Sequence, residues 1–231
     1  MNLREVGRSG KRAVKRLEFA AGRALNPKLK AYEIAATHSL CQRTRLLGLQ
    51  RLAEEVAEKR LPGHVVECGV YRGGSAVVIA ERLLRGRSSS RKMWLFDVFT
   101  GMPEPGPEDP AEAWDAVGNW VSNEDIVRAN LRAAKVPLER IHVVVGRYQD
   151  TFPDFKPPSI AFIHIDCDWY ESVRLCLETF YDAVVPGGVL VFDDYGFWSG
   201  CRKAVDEFLS QRAPLTKLTP IDDESYYFLK A

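Results

Sequence analysis

The chain has 231 residues, of which 46% are hydrophobic and 10% aromatic, and its formal net charge is +1. These values suit one large α/β domain with an appendage better than two full domains. A charge so close to zero gives no overall field that would indicate nucleic acid as the partner. No stretch approaches the roughly 18 apolar residues of a membrane span.

The cysteines do not indicate a disulfide scaffold, because the five of them form no Cys-x-x-Cys pair and are odd in number. The N-terminus lacks the continuous apolar core of a secretory signal. We therefore expect a chain with reduced thiols that works in the cytoplasm.

The first 30 residues are strongly basic, with nine Lys or Arg residues against two Glu residues. Residues 1–38 are predicted to form a basic N-terminal arm, ahead of a main domain at residues 39–231. The arm is expected to be a solvated, partly helical segment, or else an amphipathic segment that packs on a partner subunit or touches an acidic surface. The Asn26-Pro27 pair is interpreted as a break.

Residues 39–60 carry an apolar stripe with helical spacing, and Pro62-Gly63 ends the predicted helix. Arg45 is placed largely outside this stripe. The helix is expected either to pack on the core or to cover the mouth of a pocket.

A short β-branched strand at residues 64–68 runs into glycines, and a helix opens at about Gly74. The dinucleotide fingerprint G-x-G-x-x-G is absent, because Val70 and not glycine follows Gly69. Glu67 stands two residues before that glycine, and this Glu-x-Gly form is typical of S-adenosylmethionine sites. Glycine and the helix N-terminus would bring backbone N–H groups to the ligand. The alternative is a βα turn that binds nothing.

The second strand, at residues 92–97, ends in Asp97. An acid at this position can accept hydrogen bonds from ribose hydroxyls, although a helix-capping role is the alternative. The third strand, residues 141–146, leads to Arg147, where the adenine would lie in a nucleoside-binding fold. Residues 98–121 form a long, acidic, turn-rich loop that we expect to shape the substrate pocket.

Two further apolar strands end in pairs of acids, Asp166 with Asp168 and Asp193 with Asp194. Strands that alternate with helices predict a doubly wound, mainly parallel sheet. The carboxyl ends of parallel strands meet at one edge, where ligands bind, so we expect these acids to lie together. Asp168 is interpreted as a helix-capping or outer acid.

Three oxygen donors, Asp166, Asp193 and Asp194, suit Mg²⁺, which keeps waters or substrate oxygens in its other positions. Zinc is less favoured because no Cys/His set has a familiar zinc spacing, and His164 is interpreted as a satisfied core histidine. A cation at this edge would bind a substrate hydroxyl and lower its pKa. A carboxylate could then take the proton, and the oxygen would attack a sulfonium methyl group.

Several motifs in order, from about residue 40 to the C-terminus, together resemble the macrocin O-methyltransferase (TylF-type) family. These enzymes depend on Mg²⁺ and S-adenosylmethionine and methylate hydroxyls, often on sugars of antibiotics. The motifs are the segments 67–74 (ECGVYRGG), 99–103 (FTGMP), 150–153 (DTFP), 165–170 (IDCDWY) and 193–195 (DDY).

The resemblance implies a Rossmann-like class I methyltransferase sheet, mostly parallel with an antiparallel C-terminal strand, plus an N-terminal helical extension. It implies a small-molecule acceptor, either a sugar or a phenol hydroxyl, and a homo-oligomer, either a dimer or larger. The implied metal ligands are Asp166, Asp193 and Asp194, and Asp166 is also the implied general base. The implied cofactor residues are Glu67, Cys68, Gly69, Val70, Tyr71 and Ser75 for the methionine part, Asp97 for the ribose, and Gly146 and Arg147 near the adenine.

The more distant catechol and caffeoyl-CoA O-methyltransferases use a lysine three residues after the first metal-binding aspartate. This chain has Trp169 there, so a lysine base is excluded. Two rival functions are weighed against the methyltransferase. A nucleotide-dependent oxidoreductase is disfavoured by the glycine pattern after Gly69. A binding module without catalysis is disfavoured because it has no need to keep a repulsive group of acids.

Overall fold

The computed structural model describes residues 26–85, 90–156 and 159–231. The prediction for the first 25 residues of the basic arm therefore lies outside the described residues. The described chain contains a seven-stranded sheet with the order β3-β2-β1-β4-β5-β7-β6. The strands are β1 His64–Cys68, β2 Met93–Asp97, β3 Ile141–Val145, β4 Ile160–Ile165, β5 Val184–Phe192, β6 Thr219–Pro220 and β7 Tyr226–Leu229.

The first five strands are parallel, whereas β7 runs antiparallel to β5 and β6 antiparallel to β7. The predicted doubly wound sheet with an antiparallel C-terminal strand is thus confirmed. From β1 the chain builds outward to β2 and β3, then returns to place β4 and β5 on the other side of β1. This reversal makes the boundary between β1 and β4 the topological switch point, and ligands usually bind beyond the carboxyl ends of the strands at such a point.

Seven helices cover the two faces of the described sheet, together with three short 3₁₀ turns at Ala111–Ala116, Leu138–Arg140 and Tyr181–Ala183. Helices α1 to α4 contribute to one hydrophobic cluster, and α6 and α7 contribute to the other. The helices are α1 Pro27–His38, α2 Arg43–Glu58, α3 Gly74–Leu83, α4 Glu124–Ala133, α5 Tyr148–Thr151, α6 Tyr170–Phe180 and α7 Ser199–Arg212.

Strands covered on both faces have no polar side. Val65 joins the first cluster and its neighbour Val66 the second, and all six residues of β4 are buried. This burial explains why β4 is a continuous apolar run and not an alternating one.

Helix α1 begins where a break was predicted. The Asn26 side chain caps it by accepting hydrogen bonds from the N–H groups of Lys28 and Leu29, and Pro27 occupies the first turn. Asn at the cap and Pro directly after it are favourable at a helix start, so the Asn-Pro pair opens a helix here. Buried Ala31 and Ala35 lie in the first cluster, and α1 packs on α3.

The helix predicted at residues 39–60 is present as α2, Arg43–Glu58. Five members of its predicted stripe are buried, namely Leu46, Leu49, Leu52, Ala53 and Val56, whereas Leu47, also predicted in the stripe, is exposed. Within the described residues, no helix is both long and apolar enough to cross a membrane.

Candidate active site

The parallel pairing of β4 with β5 brings two of the predicted site residues together. Ile165, the last residue of β4, pairs with Phe192, the last residue of β5. Asp166 and Asp193 follow these residues at the same level of the sheet edge. The Asp193 N–H donates to the Ile165 carbonyl at 2.9 Å, which ties the two strand ends together.

Four carboxylates meet at this edge and are called the acidic cluster: Asp166, Asp168, Asp193 and Asp194. One oxygen from each of Asp166, Asp168 and Asp194 lies within 4.8 Å of the other two. An Asp166 oxygen is also within 4.8 Å of an Asp193 oxygen and of Cys41 Sγ. Asp168 is not the N-cap of α6, because Trp169 occupies that position. Asp168 adjoins Asp166 and Asp194, two of the acids predicted to bind the metal.

Burial and mutual repulsion raise three of the four pKa values. Burial and the charge of Asp193 hold the pKa of Asp166 well above its ordinary value, and burial with Asp168 and Asp166 does the same for the pKa of Asp194. Burial raises the pKa of Asp168 to about 7. Among the described residues, Asp194 Oδ2 is buried without a hydrogen-bond partner. Close, uncompensated oxygens of this kind fit a hard divalent cation.

Asp193 differs from the other three acids because basic side chains contact both of its oxygens. Arg45 Nη1 lies 2.5 Å from Oδ2, and His164 Nε2 lies 3.1 Å from Oδ1. Burial alone would raise the pKa of Asp193, but contacts with His164 and Arg45 hold this pKa below its ordinary value. Each carboxylate oxygen has a second lone pair, so both oxygens keep acceptor capacity.

His164 links the acidic cluster to the first strand. Its Nδ1 lies 2.8 Å from Glu67 Oε1, and both side chains are fully buried. Burial alone would lower the pKa of His164, but hydrogen bonds to Asp193 and Glu67 raise this pKa to about 10. The raised pKa favours the imidazolium form, which can donate to both acids. Its two hydrogen bonds agree with the interpretation of a satisfied core histidine.

The predicted cofactor loop leaves β1 as a tight turn against the acidic cluster. Gly69 has φ +85°, and a Cβ atom there would lie 1.5 Å from the Asp166 carbonyl oxygen. Only glycine allows this close approach. Asp97 Oδ2 accepts hydrogen bonds from the N–H groups of Val70 at 2.7 Å and Tyr71 at 2.8 Å. Asp97 thus fixes the loop from the end of β2.

The other predicted cofactor residues surround this turn. Ser75 is buried in the first turn of α3. The Gly146 N–H donates to the Asp97 carbonyl at 3.1 Å, and Arg147 is exposed beside it at the N-cap of α5. Glu67 and Cys68 are exceptions, because the Glu67 carboxylate is fully buried against His164 and the Cys68 thiol is buried in the second hydrophobic cluster. Only the backbone of these two residues can therefore face a ligand.

The predicted substrate loop, residues 98–121, is anchored beside the acidic cluster. Asp109 Oδ1 accepts a hydrogen bond of 2.8 Å from the Tyr170 N–H, and its Oδ2 accepts one of 2.8 Å from the Gly106 N–H. Trp169 Nε1 donates to the Pro103 carbonyl at 2.8 Å. The loop is thus attached to the start of α6, directly after the acids that follow β4.

Sequence reasoning missed four residues at this site: Cys41, Arg45, Asp109 and Trp198. Arg45 is buried and not outside the apolar stripe. It shares a helix face with Leu49 and Leu52, four and seven residues on, so the spacing contained the signal. Trp198 Nε1 donates to an oxygen of the acidic cluster at 3.0 Å, but nothing in the sequence pattern indicated this contact.

Comparison with known proteins identifies one matching family. The family model described as Macrocin-O-methyltransferase (TylF) matches residues 10–230. A Streptomyces olivaceus protein, 8-demethyl-8-(2,3-dimethoxy-alpha-L-rhamnosyl)-tetracenomycin-C 4'-O-methyltransferase, is 29% identical over 199 residues, which cover 84% of this chain and 76% of that protein. Demethyldecarbamoylnovobiocin O-methyltransferase of Streptomyces niveus is also 29% identical over 199 residues, with the same shares covered.

Solved structures share the fold. The O-methyltransferase NovP superposes with a TM-score of 0.76 at 29% identity, covering 84% of this chain and 82% of that one. The calicheamicin methyltransferase CalS11 superposes with a TM-score of 0.64 at 23% identity, covering 83% of this chain and 80% of that one. The class I methyltransferase sheet that the sequence predicted is therefore confirmed.

Proposed function

The chain belongs to the macrocin-O-methyltransferase (TylF) family of O-methyltransferases, and we propose that it transfers the methyl group of S-adenosylmethionine to a sugar hydroxyl of a glycosylated natural product. The observation that carries the proposal is the acidic cluster, which adjoins the Gly69 turn. The acceptor class is supported by the relative whose name specifies a rhamnosyl-tetracenomycin.

The cofactor would lie along the turn after β1. The backbone of the segment 67–71 and Ser75 would hold its methionine part, because the Gly69 turn lies directly against the backbone of Asp166. Asp97 would hold the ribose, and Gly146 with Arg147 would border the adenine. The 3.1 Å hydrogen bond from the Gly146 N–H to the Asp97 carbonyl supports this arrangement, because it makes the two proposed subsites adjacent.

Asp166, Asp193 and Asp194 would hold a Mg²⁺ ion, with Asp168 as the adjoining acid. The support is the raised pKa of Asp166 and Asp194 and the unpartnered Asp194 Oδ2. When bound, the ion would supply Lewis-acid chemistry, lowering the pKa of the acceptor hydroxyl and offsetting the negative charge of the cluster.

Asp166 would accept the proton of the acceptor hydroxyl. Its side chain lies beside Asp193 and Asp194 at the sheet edge, where the acceptor hydroxyl would bind. Trp169 supports a carboxylate base, because it occupies the position of the lysine in the more distant enzymes and its indole is committed to the Pro103 carbonyl. The deprotonated oxygen would then attack the sulfonium methyl in line, and the protein would contribute mainly positioning.

Isotope-labelled S-adenosylmethionine and Mg²⁺, incubated with the full chain and pairs of glycosylated natural products and their aglycones, test the proposal. We expect label on the sugar of a glycosylated acceptor and none on its aglycone. Label on phenolic hydroxyls instead would contradict the sugar assignment and favour the phenol alternative. Calorimetry gives an independent readout, and a chain that binds NAD(H) but not S-adenosylmethionine would contradict the proposal as a whole.

Two expectations from the sequence are kept as proposals. The chain would form a dimer or a larger homo-oligomer with help from the basic arm, and it would work in the cytoplasm. Light scattering of the full chain and of a variant lacking residues 1–25 tests the first of these. Equal numbers of subunits per particle would show that the arm does not contribute to assembly.

A further inference from the structure

Arg45 is the one buried arginine among the described residues, and it lies at the acidic cluster. Its guanidinium contacts carboxylates from two separate parts of the chain. Nη1 is 2.5 Å from Asp193 Oδ2, whereas Nε is 3.0 Å from Asp222 Oδ2 and Nη2 contacts Glu224. Helix α2 thus reaches both the end of β5 and the turn between β6 and β7.

The position of the guanidinium is fixed independently of Asp193. Asp222 Oδ1 accepts hydrogen bonds from the Glu224 N–H at 3.0 Å and from the Ser225 N–H at 2.8 Å, so this acid is itself held by the turn. Helix α2 also packs closely on that turn, because a Cβ atom at Gly48 would lie 2.3 Å from Ile221 Cγ2. Asp193 therefore contacts a guanidinium group whose position is already fixed by the turn and by the packing of α2.

We propose that Arg45 is a positioning residue that acts as an internal cation, holding Asp193 and competing with the divalent ion for that carboxylate. The inference rests on the proposed metal site. Within the described ranges, Asp193 is the one acid of the cluster with basic partners at ion-pair distance. Arg45 thereby offsets part of the negative charge before the ion arrives, and the ion must share Asp193 with it.

The sign of the effect follows from Coulomb's law. Removal of the guanidinium leaves the cluster more negative, so a divalent cation should bind more tightly. Removing one unit charge next to a metal ligand, at the effective dielectric constant of about 20 typical of protein sites, leaves room for a change of tenfold or more in affinity. A purely structural role for Arg45 predicts the opposite, since a disordered cluster binds an ion more weakly.

Titration of Mn²⁺ into the full chain tests the inference, with free Mn²⁺ measured by electron paramagnetic resonance and no cofactor or acceptor present. We expect Arg45→Gln to lower the Kd for Mn²⁺ about tenfold and Arg45→Lys to return it toward the wild-type value. Arg51→Gln is the matched control, because Arg51 lies on the same helix but is exposed and paired with Glu55. This control should keep the wild-type Kd.

Two results are decisive against the inference. If Arg45→Gln binds Mn²⁺ no more tightly than Arg51→Gln while the wild type binds, Arg45 does not compete and the metal site stands. If the wild type binds no Mn²⁺, the proposed metal site fails and the inference with it.

If circular dichroism shows that Arg45→Gln does not fold, the inference can be tested by NMR on the wild-type chain. The Arg45 side chain is buried and its Nε–H donates to Asp222 Oδ2 at 3.0 Å, so the Nε proton should exchange slowly with water and the ¹⁵Nε resonance should be distinguishable from those of exposed arginines. We expect Mg²⁺ to shift this resonance in proportion to occupancy. An unshifted resonance at saturating Mg²⁺ would overturn the inference.

Discussion

Asp109 accepts a hydrogen bond of 2.8 Å from the Tyr170 N–H, which joins the middle of the substrate loop to the first turn of α6. We expect Asp109→Ala to release the loop and raise the KM for the acceptor roughly tenfold, since a hydrogen bond to a charged group contributes about 1.5–3 kcal/mol. The KM for S-adenosylmethionine should not change. Asp115→Ala is the control, because Asp115 is exposed in the same loop. Equal effects on both KM values would contradict this role.

Asp166→Asn should lower kcat by about 10²- to 10⁴-fold, the usual contribution of a general base. The loop that Asp97 fixes is unchanged in this variant, so the Kd for S-adenosylmethionine measured by calorimetry should stay at the wild-type value. Asp182→Asn, at an exposed acid paired with Arg212, should retain full activity. Turnover near the wild-type rate in Asp166→Asn would exclude Asp166 as the base.

Mg²⁺ should stabilise the folded chain, because binding relieves repulsion within the acidic cluster. At a concentration 100 times the Kd the free energy of unfolding should rise by about 2.7 kcal/mol, seen as a higher Tm relative to KCl of equal ionic strength. Excess EDTA should remove both the stabilisation and the activity. Asp194→Asn should weaken the response, and an undiminished Tm increase in that variant would show that the ion binds elsewhere.

A comparison of Gly69→Ala with Gly118→Ala separates the cost of a steric clash from the cost of backbone strain. The new Cβ would collide with the Asp166 carbonyl, and φ is +85°. Gly118 has φ +77°, but a Cβ atom there would have nothing within 4 Å, so Gly118→Ala carries the strain alone. Urea unfolding should show a loss of about 1–2 kcal/mol for Gly118→Ala and more than about 4 kcal/mol for Gly69→Ala. Similar losses would argue against the close approach at Gly69.

The lowered pKa of His64 predicts that the folded chain loses stability in mild acid. Burial, with the charges of Lys92 and Arg91, lowers the pKa of His64, and its Nδ1 accepts the Lys92 N–H at 3.1 Å. The unfolded chain takes up a proton near pH 6.5, whereas the folded chain resists it. Stability is therefore present above that pH and lost as the pH falls toward the folded pKa. Urea unfolding at pH 7.5 and 5.5 should show a smaller loss for His64→Asn than for the wild type.

Much of the fold was accessible from the sequence because buried parallel strands leave long apolar runs. Residues 160–165 contain one polar residue, His164, and the structure buries all six as β4. Helix α1 lies in the predicted arm, but its start at Pro27 and its packing on α3 were missed because Asn26-Pro27 was interpreted only as a break. The two-residue strand β6 is exposed on both positions and has no apolar pattern to detect.

The acids of the candidate site were predictable as neighbours, because strand ends place them there. Their partners were not. Arg45 lies 148 positions before Asp193 in the chain, and no local pattern connects two residues at that separation. The indole of Trp198 donates to Asp168, which lies 30 positions earlier in the chain. Asp168 follows β4, whereas Trp198 follows β5. Such contacts depend on how helices and loops pack over the sheet edge.

The line of hydrogen bonds from Glu67 through His164 to Asp193 has a consequence for how the sheet assembles. Glu67 pairs with His164, and His164 pairs with Val191, two residues before Asp193. The apolar strands around this line lack the in–out alternation that usually defines strand register. A slip of one residue in β1, β4 or β5 would leave a buried charge without its partner, at a cost of about 3–5 kcal/mol. The same three side chains that lie at the candidate active site therefore also favour one register of the three strands over the others.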